Sequence, residues 1–239
     1  MSGGPVVSAP AVRNDPPVAD DWGEVVRPIG PIGPVFPASS TQSTLTAIPA
    51  AIAPVVLLAA NCREGFEGVD IWEGAKHKLN LLRFPWPFET SSVDELHCAH
   101  FIEHIPMEFV DEFGNYVPCG TPGAKDLFFK FFDECWRILK PDGWMTVITP
   151  CARNNRAFQD PTHRRFIVAE TFVYLFAEWR RQNKLDHYNV ICDFAGDVNP
   201  TVFAEMNLRA PEVQQQKFTE AWNVVLDWHA KLKAVKPHG

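Results

Sequence analysis

The sequence predicts an α/β domain built on a doubly wound, mostly parallel sheet with an antiparallel pair at its C-terminal edge. Three features carry that expectation. Val55–Leu58 and Phe66–Ile71 are short apolar runs of strand length. Val93–His100 and Trp144–Thr149 read as two further strands, and the segment between them is helical. A strand, a helix and a strand in that order call for a parallel crossover. Finally, two strand-like runs beyond residue 188 follow the helical part and suit the antiparallel pair.

In chain order, residues 1–50 carry Pro5, Pro10, Pro16, Pro17, Pro28, Pro31, Pro34, Pro37 and Pro49 among small residues. Such a stretch cannot close regular backbone hydrogen bonds and reads as an extended or disordered tail, leaving residues 51–239 as one domain. The alternative is an arm that docks a protein partner through Ile29, Ile32, Val35 and Phe36. Phe66–Ile71 contains an acid, Asp70, next to its end. In a doubly wound sheet ligands lie beyond the carboxyl ends of the strands, so Asp70 either faces that crevice or caps a turn. Phe84-Pro-Trp-Pro-Phe88 cannot enter a central strand and makes a loop. Glu108–Pro122, rich in Gly, Pro and acids, reads as an irregular surface excursion.

Between Lys125 and Leu139, Phe128, Phe131, Phe132, Cys135, Ile138 and Leu139 recur at three- and four-residue steps, one face of a helix. Lys140-Pro-Asp-Gly143 ends that helix, because Pro is disfavoured in helix interiors and Asp-Gly accepts a turn. Tyr188–Phe194 and Val198–Leu208 are the runs assigned to the edge pair. Pro211 opens a last helix with Phe218, Trp222, Val225, Leu226 and His229 along one stripe.

Of 239 residues, 46% are hydrophobic and 21% charged, enough for one sizeable core and no second full domain. A net charge of −7 disfavours a broad nucleic-acid surface, although Arg153, Arg156, Arg164 and Arg165 form a local basic cluster. The six cysteines are scattered without a Cys-x-x-Cys pair, as expected of core thiols in a reducing compartment. Met1–Asp21 lacks a secretory pattern, and Leu45–Ala60 is too short and too interrupted by proline to span a membrane. The expected location is cytoplasmic.

Pro87-Phe88-Glu-Thr-Ser-Ser-Val-Asp-Glu-Leu96, Ala99-His100-Phe-Ile-Glu103-His104-Ile105 and Cys135-Trp-Arg-Ile-Leu-Lys-Pro-Asp-Gly-Trp144 occur in that order. In that order and spacing they resemble the class I S-adenosylmethionine-dependent methyltransferases, over roughly Val55 to Phe176. The resemblance implies a Rossmann-like methyltransferase fold and S-adenosylmethionine as cofactor. It implies that Asp70 meets the ribose hydroxyls and Asn80-Leu81 the adenine, with Ala59, Ala60, Asn61 and His100 flanking the methionine part. Asn80 is otherwise an ordinary loop residue, and Trp86 and Phe88 wall the adenine or fill core. The chain departs from the pattern where a glycine-rich turn should follow the first strand: Ala59-Ala60-Asn61-Cys62 stands there, and alanine does not take positive φ freely.

Asp160-Pro-Thr-His163-Arg164 resembles a motif of bacterial and phage-type relatives, ahead of an aromatic helix at Glu170–Phe176. Asp160 and His163 are accordingly candidates to orient or deprotonate an acceptor, beside His100; alternatively Asp160 caps a turn over a packed His163. His100-Phe-Ile-Glu103-His104 also spells a zinc-binding pattern, but Pro106 interrupts the helix such a pattern needs, so no metal is assigned. The activity expected is methyl transfer to a small-molecule or peptidic acceptor. The alternative is a catalytically inactive methyltransferase-like module for binding or assembly.

Overall fold

The computed structural model describes residues 67–71 and 75–237, together with the backbone of 55–58. The tail expected over residues 1–50, with its docking arm, lies outside the described residues, as do Ala59, Ala60 and Asn61. Seven strands form one sheet: β1 Val55–Leu58, β2 Glu67–Asp70, β3 His77–Lys78, β4 Val93–Ala99, β5 Leu139–Pro150, β6 Phe194–Val202 and β7 Val225–Ala234. Their spatial order is β3-β2-β1-β4-β5-β7-β6. β1 pairs in parallel with both β2 and β4, β2 with β3, and β4 with β5, whereas β7 runs antiparallel to β5 and β6. The strand order reverses between β1 and β4, which makes the sheet doubly wound and puts a crevice at their carboxyl ends.

The helix Leu127–Ile138 connects β4 to β5. Asp126 caps it by accepting a hydrogen bond from the Phe128 amide at 2.7 Å. Its core face is that of the heptad-like spacing: Leu127, Phe131, Phe132, Cys135 and Ile138 are fully buried with Leu96, Met145 and Val147 of the sheet. Each such phenylalanine contributes up to about 3 kcal/mol of burial. The last turn's carbonyls find partners outside the helix, since the Ser91 amide donates to Arg137 and the Ser92 amide to Ile138, both at 2.9 Å.

Several expectations need correction. β5 begins at Leu139, not Trp144: Val93 pairs with Leu139 and Glu95 with Trp144, so Lys140–Gly143 bulges inside the ladder with Asp142 at φ 61°. The antiparallel edge exists but has other members. Tyr188–Asp193 lies outside any strand, and Ala204–Asn207 is a helical turn. The second edge strand is Val225–Ala234, which had looked like the end of a helix. That helix stops at Glu220, and Asn223 takes φ 61°, which no helix tolerates. Beyond it Ala230, Leu232 and Ala234 are buried while Lys231 and Lys233 alternate with them, a period of two. The excursion at Glu108–Pro122 is partly ordered, with Phe109–Val110 pairing antiparallel to Tyr116–Val117 and to Lys125–Asp126. The aromatic helix of Glu170–Phe176 is a 3-10 helix, Ala169–Leu175. Cys98, Cys135, Cys151 and Cys192 are buried free thiols, as expected of core residues, while Cys119 is exposed.

Candidate functional site

The carboxyl ends of β2 and β3 lie side by side. Asp70 pairs with Lys78 across the ladder, and the Leu79 amide donates to the Asp70 carbonyl at 2.8 Å. This brings Asp70 and Asn80-Leu81 to one edge of the sheet. Asn80 is exposed, and its Oδ1 accepts from the Leu82 amide at 2.9 Å, so its oxygen holds a turn and its amide nitrogen is the side that can donate. Leu81 is buried; its carbonyl accepts from Trp86 Nε1 at 3.3 Å. Trp86 fills core, stacking near Phe84 and edge-on to Phe131.

A second group forms past β4 and β5. The His100 amide donates to the Ile148 carbonyl at 2.8 Å, extending the ladder by one residue, and His100 turns out of the strand at φ 52°. The 3-10 turn Ile102–His104 follows and buries Glu103. Glu103 Oε2 accepts from Thr149 Oγ1 at 3.0 Å, and its carbonyl accepts from the Arg164 and Arg165 amides at 2.7 and 2.9 Å. Its Oε1 accepts no hydrogen bond and lies 3.4 Å from His100 Nδ1. This contact with Glu103 raises the His100 pKa, against burial, with a further pull from Asp227. Arg156 Nη1 donates to Asp227 Oδ2 at 3.0 Å, on β7 where it starts beside the end of β5. Burial raises the Asp227 carboxyl and lowers the nearby His229 imidazole.

The turn Asp160–His163 packs onto the same 3-10 segment. Asp160 Oδ1 accepts from the Thr162 amide and hydroxyl, both at 2.7 Å, which closes the turn and lowers its pKa. Thr162 Oγ1 is 3.0 Å from His104 Nδ1, and the rings of His104 and His163 meet edge to face with centroids 4.7 Å apart. His163 Nδ1 lies 2.9 Å from the Ala157 carbonyl.

The expected residues therefore fall into two groups: Asp70 and Asn80-Leu81 at the ends of β2 and β3, and His100 and His163 around Glu103. Asp160 does cap a turn. Asp227, Thr149 and Thr162 escaped the sequence reading. Asp227 was hidden because its strand had been read as helix, whereas Thr149 and Thr162 acquire meaning only through Glu103 and His104, which lie 46 and 58 residues away from them.

No protein-family model matches this chain, and neither does any curated protein. Among solved structures it is similar to a methyltransferase dependent on S-adenosylmethionine from Archaeoglobus fulgidus, at 16% identity and a TM-score of 0.47, over 76% of this chain and 86% of that one. A similar enzyme from Methanosarcina mazei shares 13% identity over 79% and 95% of the two chains, with a TM-score of 0.43. One from Mesorhizobium loti shares 9% over 77% and 93%, with a TM-score of 0.41. The fold is read from the sheet itself: a mostly parallel, doubly wound order closed by antiparallel β7, the class I methyltransferase-like, Rossmann-like arrangement.

Proposed function

We propose that this chain transfers a methyl group from S-adenosylmethionine to a small or peptidic acceptor. The observation that carries the reading is the adjacency of Asp70 and Asn80-Leu81 at the crevice edge of a doubly wound sheet. A carboxylate there accepts from ribose hydroxyls. The Asn80 amide nitrogen, with its oxygen already committed to Leu82, is a donor suited to an adenine ring nitrogen. Both residue types fit the nucleoside.

When bound, the cofactor supplies a methyl group already activated by its sulfonium. The protein's task is alignment, plus a base only where the acceptor carries a proton. The three candidates for that base differ. His100 is biased toward its protonated form by Glu103, which suits holding a carboxylate or a carbonyl more than removing a proton. Asp160 is a weakened base, its charge spent on Thr162. His163 donates its Nδ1 proton to a carbonyl, which can only accept, so a proton taken from an acceptor would go to Nε2.

Calorimetric titration of the full chain with S-adenosylmethionine and S-adenosylhomocysteine tests the reading. Asp70→Ala is expected to weaken both ligands by about tenfold or more, the loss of hydrogen bonds to a charged group. Folded protein that gives no heat with either ligand at millimolar concentration overturns it. The competing reading, an inactive binding or assembly module, is motivated by Ala59-Ala60 where glycines are expected. It gains if glycine at both positions restores no binding.

A further inference from the structure

Glu103, His104 and His163 each offer one ligating atom, and the three atoms lie within 4.8 Å of one another. The surrounding hydrogen bonds fix which ring nitrogens are available. Ala157 O can only accept, so His163 carries a proton on Nδ1, and Nε2 is the lone-pair nitrogen of the neutral ring. The Thr162 hydroxyl has one proton and gives it to the Asp160 carboxylate at 2.7 Å. It must therefore accept from His104 at 3.0 Å, which puts the His104 proton on Nδ1 as well. In its neutral form each imidazole is thus held by an Nδ1–H bond to an oxygen and presents Nε2 as the lone-pair atom, the way metal-bound histidines are held.

The third ligand points to a cation independently. Glu103 is 1% exposed; its Oε2 accepts from Thr149, while Oε1 meets only the His100 imidazole, at 3.4 Å and outside hydrogen-bond geometry. A buried carboxylate with one oxygen so loosely matched is costly, and a cation beside it lowers that cost. We propose that Glu103, His104 and His163 form a three-ligand site for a divalent transition-metal cation of the zinc type. Two neutral imidazoles and one carboxylate match zinc, cobalt or ferrous iron better than calcium or magnesium, which prefer oxygen. Three protein ligands leave a position open for water or an acceptor oxygen. The pair of imidazoles is not the one suggested by His100-Phe-Ile-Glu103-His104. His100 leaves the strand at φ 52°, and His104 is joined instead by His163 from the next crossover. The site does not depend on methyl transfer, and a bound metal takes the His163 Nε2 lone pair that a base would otherwise use.

Full-length protein, stripped with a chelator and dialysed, is titrated with Co²⁺ and followed by its visible ligand-field absorption, then challenged with Zn²⁺. One Co²⁺ per chain, displaced by Zn²⁺, is expected. His104→Ala and His163→Ala should each abolish the band. Thr162→Val, at an exposed position where folding is not at risk, should weaken Co²⁺ about tenfold or more by freeing the His104 ring. His187→Ala, at an exposed imidazole elsewhere, should change nothing. Absence of saturable Co²⁺ binding by folded protein overturns the site, as does a band that survives both histidine substitutions or is indifferent to Thr162→Val.

Discussion

Glu134, in the middle of the β4–β5 helix, accepts a hydrogen bond from the backbone amide of Trp86 at 2.7 Å, across 48 positions of sequence. The same carboxylate takes Arg137 Nη2 and Nε at 2.6 and 3.0 Å, and Arg137 in turn donates to the carbonyls of Trp86 and Phe88. The proline-rich loop that could not join the sheet is thereby tied to the helix by side chains. Asn80-Leu81 precede that loop in the same connection between β3 and β4, so the tie also anchors the segment that carries them.

Glu134→Ala should lower unfolding stability by about 3 kcal/mol, because it leaves the buried Trp86 amide without its acceptor and Arg137 without its carboxylate. Glu134→Gln, which keeps one carbonyl oxygen for the Trp86 amide, should lose clearly less. Urea unfolding of the two variants checks this. Equal losses would mean that the Trp86 bond contributes nothing.

Gly196 on β6 faces Leu232 on β7, and a Cβ there would stand 1.9 Å from the Lys231 carbonyl oxygen. Backbone cannot swing aside as a side-chain tip can. Gly196→Ala should therefore cost about 3 kcal/mol or force the edge strand to separate. Thermal unfolding measures the cost, and amide exchange along Phe194–Val202 shows whether the strand has lifted. An alanine variant as stable as the parent would refute the close approach.

Much of this fold was legible in advance because its central features are local. The Phe128–Leu139 spacing, the strands Val93–Ala99 and Val55–Leu58, and the core role of Cys135 all follow from periodicity within a few residues. Val225–Ala234 was not legible because Val225, Leu226 and His229 also sit at helical spacing after Phe218 and Trp222. The period of two becomes decisive only from Ala230 onward, where the ladders with β5 and β6 choose it. Site residues divided the same way. Asp70 could be named from the end of its strand, whereas Asn80 and His100 were named only through the family resemblance. Thr149 beside Glu103 and Thr162 beside His104 are products of packing between distant segments.

Arg165 joins three of those segments. It donates to the Ile105 carbonyl at 2.9 Å, to the Pro106 carbonyl at 2.6 Å and to Asp126 Oδ1 at 2.7 Å, and its guanidinium lies over the Phe128 ring. A lysine ammonium is a point charge without the planar fork that makes these bonds together. Arg165→Lys should lose about 2 kcal/mol, and Arg165→Met more, since Asp126 then keeps its charge without a cation beside it. Chemical denaturation gives the order. A lysine variant equal to the parent would show that charge alone suffices.

Asp227 provides the pH test. Its Oδ1 is buried without a hydrogen bond, and burial raises the carboxyl above its ordinary value of 3.8, opposed by Arg156 and by His100 and His229. A raised folded pKa means that the native state holds the proton more tightly than the unfolded chain does. The contribution to stability is therefore fully present below 3.8 and is lost as pH rises through the folded value. Asp227→Asn has no such proton to bind. The stability of the parent relative to this variant should be greatest in acid, decline as the carboxyl ionises and level off once it is charged. Paired urea titrations across that range check the sign. A difference that grows with pH would mean that Arg156 outweighs burial and that the Asp227 carboxylate is stabilised where it stands.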